Sequence, residues 1–214
     1  MTEDLTKRSQ NAETFGASAK PLDHLSLRGE RDAPALLLRD SEISHAELDR
    51  RVSRIAAMLI ERGCQPGDRV ATWLGKTWLA CIMPLASVRA GLVHVPVNPL
   101  LKRAQVAHIL ADSGARLLIT NSARSGSLAE GDQPDACVIV DDAAFGAEAI
   151  EEGQGLPPST RSADELAAIL YTSGSTGRPK GVMLTSANMW LGADSVSSYL
   201  GLSAADRLLG VLPL

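Results

Sequence analysis

The sequence predicts an α/β protein in which helices lie on both faces of a mostly parallel β-sheet. Short aliphatic stretches typical of buried strands alternate along the chain with helical patterns. Hydrophobic residues make up 45% of the 214 residues, which is enough for a core, whereas aromatic residues make up only 3%. Because aliphatic residues and alanine must do the packing, the composition favours an α/β fold over a β-sandwich.

The first well-defined helix is predicted to begin at Ser44. Ser44 and Glu47 form the S-x-x-E pattern of a capping box, in which hydroxyl and carboxylate each bind an otherwise unpaired backbone amide. Gly63 is expected to end this helix. The residues expected to face the core repeat at helical spacing and are Leu48, Val52, Ile55, Leu59 and Ile60.

The alternation of strands and helices continues toward the end of the chain. Strands are predicted at 69–74, 92–97, 116–120, 136–140, 166–171 and 181–184, and helices at 76–89, 102–112 and about 186–200. The acidic stretch 141–163 contains Gly and Pro residues and is predicted to be a linker or a surface loop. Residues 206–214 are largely apolar and are predicted to begin a further strand.

Charge, cysteine spacing and hydropathy exclude several classes of function. The net charge of −4 is spread along the chain without a basic block, so no nucleic-acid partner is expected. Cys64, Cys81 and Cys137 are far apart and show no CxxC spacing, which argues against disulfides and a zinc site and fits a reducing compartment. The N-terminus has no apolar signal segment, and residues 78–88 are too short to span a bilayer. We therefore expect a cytoplasmic protein with no membrane span.

The histidines are not expected to act as catalytic bases. His94 lies between two valines in a predicted buried strand and is expected to be a packed or hydrogen-bonded core residue, since no partner acid is suggested nearby. His45 and His108 fall on or near predicted helices, where surface or flanking positions are expected. Cys81, on an apolar helix, is expected to be an unreactive core thiol.

The strongest functional signal is the segment YTSGSTGRPKG at residues 171–181, between two predicted strands. Glycines let consecutive backbone N–H groups converge on an anion, while the hydroxyls add donors and Lys180 adds a positive charge. The pattern indicates a polyphosphate site that can stabilise charge on a leaving pyrophosphate. The structural alternative is a flexible linker or hairpin turn, which would need neither the lysine nor this order. A Walker A loop is excluded because Lys180 follows Pro179 and precedes Gly181.

The segment YTSGSTGRPKGVMLTSAN resembles the signature loop of the adenylate-forming (AMP-binding) superfamily, which includes acyl-CoA synthetases, luciferases and peptide-synthetase adenylation domains. Segments 43–48, 65–70 and 89–99 resemble the family as well, so the resemblance runs from about Asp32 to the last residue. The stretch 100–120 is similar to acyl-CoA ligases associated with exosortase systems. One departure is the segment 185–188, TSAN, where Ser186 stands at the second position in place of the histidine common in the family.

The resemblance implies the N-terminal portion of the large domain of the adenylate-forming fold, truncated. Residues 21–214 would form this partial AMP-binding domain, after a flexible N-terminal arm at residues 1–20. The chain is expected to end before the adenine-binding segment and the C-terminal domain. The 214-residue chain alone is therefore expected to be inactive.

The activity that the resemblance implies is a two-step ligation. ATP and a carboxylic acid first give an acyl-adenylate and pyrophosphate with Mg²⁺ present, and the acyl group then passes to a thiol, usually that of coenzyme A. A carrier-protein thiol as acceptor, and a non-catalytic remnant, stay open as alternatives. The acid and the oligomeric state are left open too.

The resemblance assigns seven residues to the phosphates. Those expected to hold the β- and γ-phosphates are Thr172, Ser173, Gly174, Ser175, Thr176, Gly177 and Lys180. Lys180 would also act catalytically by neutralising the pyrophosphate, and Thr172 would help to hold the metal. Arg178 is expected to face solvent.

Overall fold

The computed structural model describes residues 19–151, 153–172 and 178–210, without the side chains of residues 147 and 148. The predicted arm at residues 1–20 therefore lies almost entirely outside the described residues. In this part of the chain the strands are β1 (Pro34–Leu37), β2 (Glu42–Ser44), β3 (Arg69–Trp73), β4 (Val93–Pro96), β5 (Leu117–Thr120), β6 (Val138–Asp141), β7 (Leu166–Thr172) and β8 (Lys180–Thr185). The α-helices are α1 (His45–Glu61), α2 (Trp78–Arg89), α3 (Arg103–Ser113), α4 (Ser122–Ser125), α5 (Ala147–Glu151) and α6 (Ser186–Leu200), and 3₁₀ helices span Leu22–Leu27 and Asp142–Phe145.

Six strands form one sheet in the order β6-β5-β3-β4-β7-β8. The β6–β5, β5–β3, β3–β4 and β4–β7 pairs are parallel, and only the β7–β8 pair is antiparallel. β1 and β2 form a separate antiparallel pair. The predicted α/β class with a mostly parallel sheet is confirmed.

Alternation along the central strands explains why helices cover both faces of the sheet. Val70 of β3 packs in a core cluster with α1 and α2, whereas the next residue, Ala71, packs in a second cluster with α3. β5 divides in the same way, because Ile119 joins the first cluster and Leu118 the second. Successive side chains of a strand point to opposite faces, so each central strand needs a helical layer on either side.

The start of α1 confirms one half of the predicted capping box. The backbone N–H of Glu47 donates to Ser44 Oγ over 3.2 Å. The carboxylate half is wrong, because the carboxylate of Glu47 instead accepts hydrogen bonds from Arg50 (2.7 Å) and from Arg51. Ile60 was also expected in the core but is 38% exposed.

The stretch 141–163 is not simply a surface loop. It contains the second 3₁₀ helix and α5, and Phe145 (0% exposed) and Ile150 (3%) insert into the first core cluster. The guanidinium of Arg62 lies 4.6 Å from the centre of the Phe145 ring. The prediction was wrong because two apolar anchors carry the segment into the core despite its acidic composition.

Residues 206–210 do not form the predicted further strand. Lys76, just before α2, donates a hydrogen bond to the carbonyl of Gly210. Residues 211–214, the rest of that predicted strand, lie outside the described residues.

A buried ionic network joins four segments that are distant in sequence. Arg89 of α2 contacts Asp23 of the first 3₁₀ helix at 3.0 Å and Asp49 of α1 at 2.7 Å. It also donates to Ser26 Oγ at 3.1 Å. Asp23 in turn accepts the backbone N–H of Ser159 at 3.0 Å, which ties down the chain that leads into β7.

Candidate functional site

The β7–β8 hairpin carries the two ends of the predicted phosphate loop. The last residue of β7, Thr172, pairs with the first residue of β8, Lys180. His94 of β4 pairs with Ala168, so the end of β4 lies level with about Leu170 and Thr172 projects beyond it. The loop therefore begins at the carboxyl end of a parallel strand, which is where open α/β sheets bind their ligands.

The structure brings together two of the seven predicted phosphate-binding residues. The side chains of Thr172 and Lys180 are both exposed at the end of the hairpin. Arg178 is exposed too, as expected for a position that faces solvent. The other five predicted residues lie outside the described residues and are Ser173, Gly174, Ser175, Thr176 and Gly177.

Tyr171, next to Thr172, anchors the first strand of the hairpin to α3. Its Oη donates a hydrogen bond to Asp112 Oδ2 over 2.6 Å. Partial burial, followed by the neighbouring Asp112 carboxylate, raises the pKa of Tyr171 well above its usual range. The phenol therefore stays protonated and remains a donor at physiological pH.

Gly181 makes room for the Tyr171 ring, which faces it across the hairpin. A Cβ atom added at Gly181 would lie 3.2 Å from Tyr171 Cζ and 2.8 Å from Ile169 Cγ2. Since contacts this short would force the neighbours to move, glycine at this position is a steric requirement of the ring's placement.

His108 anchors the other side of the hairpin. Its Nε2 lies 3.0 Å from the carbonyl oxygen of Pro179, which can only accept, so Nε2 carries the hydrogen. The sequence predicts a surface or flanking position for His108 and gives no role to Asp112. The sequence does show that His108 and Asp112, four residues apart, share one helix face. It does not show their partners, which lie 71 residues after His108 and 59 residues after Asp112.

The segment after β8 forms the beginning of α6 without a histidine. Asn188 N–H donates to Thr185 Oγ1, and Thr185 N–H donates to Asn188 Oδ1, both over 3.1 Å. Ser186 is buried and its Oγ accepts the backbone N–H of Leu22 at 3.2 Å. The capping box of α6 is therefore complete without the expected histidine. Ser186 makes a structural contact with Leu22.

His94 is the buried core residue that its sequence position predicts. Its Nε2 is 2.9 Å from Thr72 Oγ1, and burial lowers the pKa of His94 to about 3, so the ring is neutral. Both residues line a largely apolar cavity of about 180 Å³ beneath α2 and α6. Cys81 also lines this cavity and is only half-buried, although desolvation raises the pKa of its thiol.

No three or more His, Cys, Asp or Glu side chains within the described ranges are grouped so that they could hold a metal ion. Thr172 could offer one hydroxyl oxygen to Mg²⁺. That ion takes oxygen ligands and retains water and substrate phosphate readily, so one protein oxygen is compatible with a metal held mainly by a nucleotide. Among the helices that the structure describes, none is both long and apolar enough to span a bilayer.

Open α/β proteins bind their ligands at the carboxyl edge of the sheet, which is where this mostly parallel sheet presents Thr172 and Lys180. Residues 24–214 match the model of the AMP-binding enzyme family, and the chain therefore belongs to this family of adenylate-forming ligases. The match covers most of the chain and includes the hairpin.

Three relatives illustrate the range of the family. The chain is 39% identical to feruloyl-CoA synthase of Amycolatopsis sp over 176 residues, which is 80% of this chain and 34% of that protein. It is 35% identical to phosphinothricin tripeptide synthetase PhsC of Streptomyces viridochromogenes over 159 residues, 74% of this chain and 14% of that protein. The crystal structure of ATP-bound MatB from Rhodopseudomonas palustris superposes with a TM-score of 0.69 at 29% identity, over 85% of this chain and 38% of that chain. The chain thus spans well under half the length of each of these relatives.

Proposed function

We propose that the protein uses ATP to convert a carboxylic acid into an acyl-adenylate, and then transfers the acyl group to the thiol of coenzyme A. The observation that carries this proposal is the pairing of Thr172 and Lys180 at the carboxyl edge of the sheet, on a hairpin tied to α3 on both sides. Membership of the AMP-binding family supports the same reaction. The ATP in the similar MatB structure supports ATP as the nucleotide.

In the first step a carboxylate oxygen bonds to the α-phosphorus of ATP, and the bond from that phosphorus to pyrophosphate breaks. Lys180 is proposed to neutralise charge that develops on the leaving pyrophosphate, since a fixed cation there stabilises the transition state more than the ground state. Backbone N–H groups and hydroxyls of residues 173–177 would hold the β- and γ-phosphates. Thr172 would give Mg²⁺ one oxygen ligand.

In the second step the thiol sulfur bonds to the acyl carbon, and AMP leaves with the electrons of the broken acyl–phosphate bond. Coenzyme A is proposed as the thiol because feruloyl-CoA synthase is among the more similar relatives. A carrier-protein thiol is the second candidate, since a tripeptide synthetase is similar over 74% of the chain. We also propose a cytoplasmic location, because a free thiol as acceptor and the three free cysteines of this chain both fit a reducing compartment.

We further propose that residues 21–214 belong to the large domain of the enzyme, since the chain spans well under half the length of the similar relatives.

The test is acid-dependent exchange of radiolabelled pyrophosphate into ATP by the protein as its gene encodes it. A panel of fatty, aromatic and amino acids, with ferulic acid included, would identify the substrate class. Each active acid is then supplied with coenzyme A or with a phosphopantetheinylated carrier protein. Thioester formation with coenzyme A supports the proposal, formation only on the carrier supports the second candidate, and no exchange with any acid contradicts both.

A further inference from the structure

We propose that His108 and Asp112 of α3 are positioning residues that fix the positions of Thr172 and Lys180, and so determine how tightly the enzyme binds the phosphates of ATP. This inference rests on the proposed function of the hairpin. It concerns two side chains that do not themselves touch the nucleotide.

The two residues act from one helix face. His108 and Asp112 are four residues apart in α3, and residues at this spacing lie one above the other on a helix. The opposite side of α3 is fixed in the second core cluster by Val106, Ile109 and Leu110, each fully buried. α3 is therefore a rigid support whose position does not depend on His108 or Asp112.

Their hydrogen bonds hold one strand each. Asp112 accepts from Tyr171 at 2.6 Å, and Tyr171 immediately precedes Thr172. His108 donates to the carbonyl of Pro179 at 3.0 Å, and Pro179 immediately precedes Lys180. Each anchor thus stands one residue from a residue of the proposed site.

The strand ladder alone does not fix this end of the hairpin. The Thr172–Lys180 pair is the last pair of the ladder that the structure describes, and Pro179 has no backbone N–H to add another bond. The His108 bond extends the restraint to Pro179. The Tyr171 ring lies against Gly181, so the bond from Tyr171 to Asp112 also restrains the second strand of the hairpin.

A purely structural role predicts a different outcome on mutation. Tyr171 and His108 are half-buried and Asp112 is exposed, so removal of one bond should leave the core packing of α3 intact. If the bonds serve positioning, their loss should weaken ATP use in a protein that still folds, because placement errors of about 1 Å are costly to catalysis.

The experiment measures KM for ATP and kcat in acid-dependent pyrophosphate exchange, together with equilibrium binding of ATP and Mg²⁺, on the protein as its gene encodes it. The variants are Tyr171→Phe, Asp112→Ala and His108→Ala, with Asp112→Asn and His108→Gln as conservative replacements that keep an acceptor and a donor. Arg103→Ala, an exposed residue of the same helix that pairs with Asp132, is the matched control.

We expect the three disruptive variants to weaken ATP binding or kcat/KM for ATP by about 5- to 20-fold. The KM for the acid and the urea midpoint should change little. Asp112→Asn and His108→Gln should recover most of the loss, and Arg103→Ala should match the unmodified protein. Combining Tyr171→Phe with Asp112→Ala should cost no more than either change alone, because both remove the same bond.

The inference is overturned if Tyr171→Phe and His108→Ala bind and use ATP as the unmodified protein does, or if the conservative variants fail to recover the loss. ATP binding without acid-dependent exchange in the unmodified protein would contradict the proposed reaction, while the binding measurements would still decide on positioning. A folded unmodified protein that binds no ATP would overturn both.

Discussion

The buried contact between Asp23 and Arg89 offers the sharpest test of how this chain holds its hairpin in place. The two side chains are 0% and 1% exposed, and Arg89 Nε lies 3.0 Å from Asp23 Oδ2. In Asp23→Ala the guanidinium would keep Ser26 Oγ and one carboxylate, that of Asp49, whose side chain is 28% exposed. The same change removes the acceptor of the Ser159 N–H, which fixes the chain ahead of β7.

The magnitude follows from the burial of both charges. Removing one partner of a buried ion pair costs about 3–5 kcal/mol, and the lower end applies here because Asp49 remains beside the guanidinium. The unpaired Ser159 N–H can add about 1–3 kcal/mol, and the two costs overlap because a single carboxylate serves both. With a urea m-value of about 2–3 kcal/mol/M, the unfolding midpoint of Asp23→Ala should fall by at least about 1 M.

The assay is urea unfolding followed by far-UV circular dichroism. The control is Arg161→Ala, which breaks an ion pair with Glu165 whose side chains are 43% and 42% exposed, and which should shift the midpoint little. Asp23→Ala combined with Arg89→Met should recover part of the lost stability, because it removes the stranded charge. An Asp23→Ala midpoint no lower than that of Arg161→Ala would refute the reasoning.

Three further predictions concern sterics and titration. Gly181→Val should destabilise the fold by about 1–3 kcal/mol, because its Cβ would lie 2.8 Å from Ile169 Cγ2; Gly192→Ala in α6, where nothing lies within 4 Å, should stabilise it by up to about 1 kcal/mol in the same urea assay. Burial lowers the pKa of His94 to about 3, below the value of about 6.5 expected in the unfolded state. The difference contributes its full amount to the free energy of unfolding above about pH 6.5, where the ring is neutral in both states. This stability should be lost as pH falls toward 3, and His94→Gln should flatten the slope of unfolding free energy between pH 7 and 5; an unchanged slope would contradict the assignment. Desolvation raises the pKa of Cys137 to about 11, so about one thiol in a thousand is ionised at pH 8, and iodoacetamide should alkylate Cys137 far more slowly in the folded chain than in urea. Equal rates would show that this thiol is accessible.

Local patterns predicted those parts of the fold that local chemistry determines. Ser44 caps α1 as its S-x-x-E pattern indicates, and Gly63 follows the C-cap of α1 with the positive φ of 84° that glycine permits. The two strands predicted on either side of the loop are present as β7 and β8, and their ladder extends to a Thr172–Lys180 pair that the patterns did not predict.

Contacts between distant segments were beyond the reach of these patterns. Phe145 lies in an acidic stretch, and only the surrounding tertiary structure reveals that its ring is buried under Arg62. Glu47 was assigned to the cap, but two nearby arginines compete more strongly for its carboxylate. His108 and Asp112 acquire their contacts only when α3 packs beside the hairpin, so neither could be tied to the site from spacing alone.

The central claim, that Lys180 at the end of the β7–β8 hairpin serves adenylate formation, is tested most directly by comparing two neighbouring cations. Lys180→Ala and Arg178→Ala remove the same charge two residues apart, and both side chains are exposed. In acid-dependent ATP–pyrophosphate exchange by the protein as its gene encodes it, Lys180→Ala should lose about 100-fold in rate at an unchanged urea midpoint, whereas Arg178→Ala should stay within about twofold of the unmodified protein. Equal rates for the two variants would contradict the assignment of Lys180.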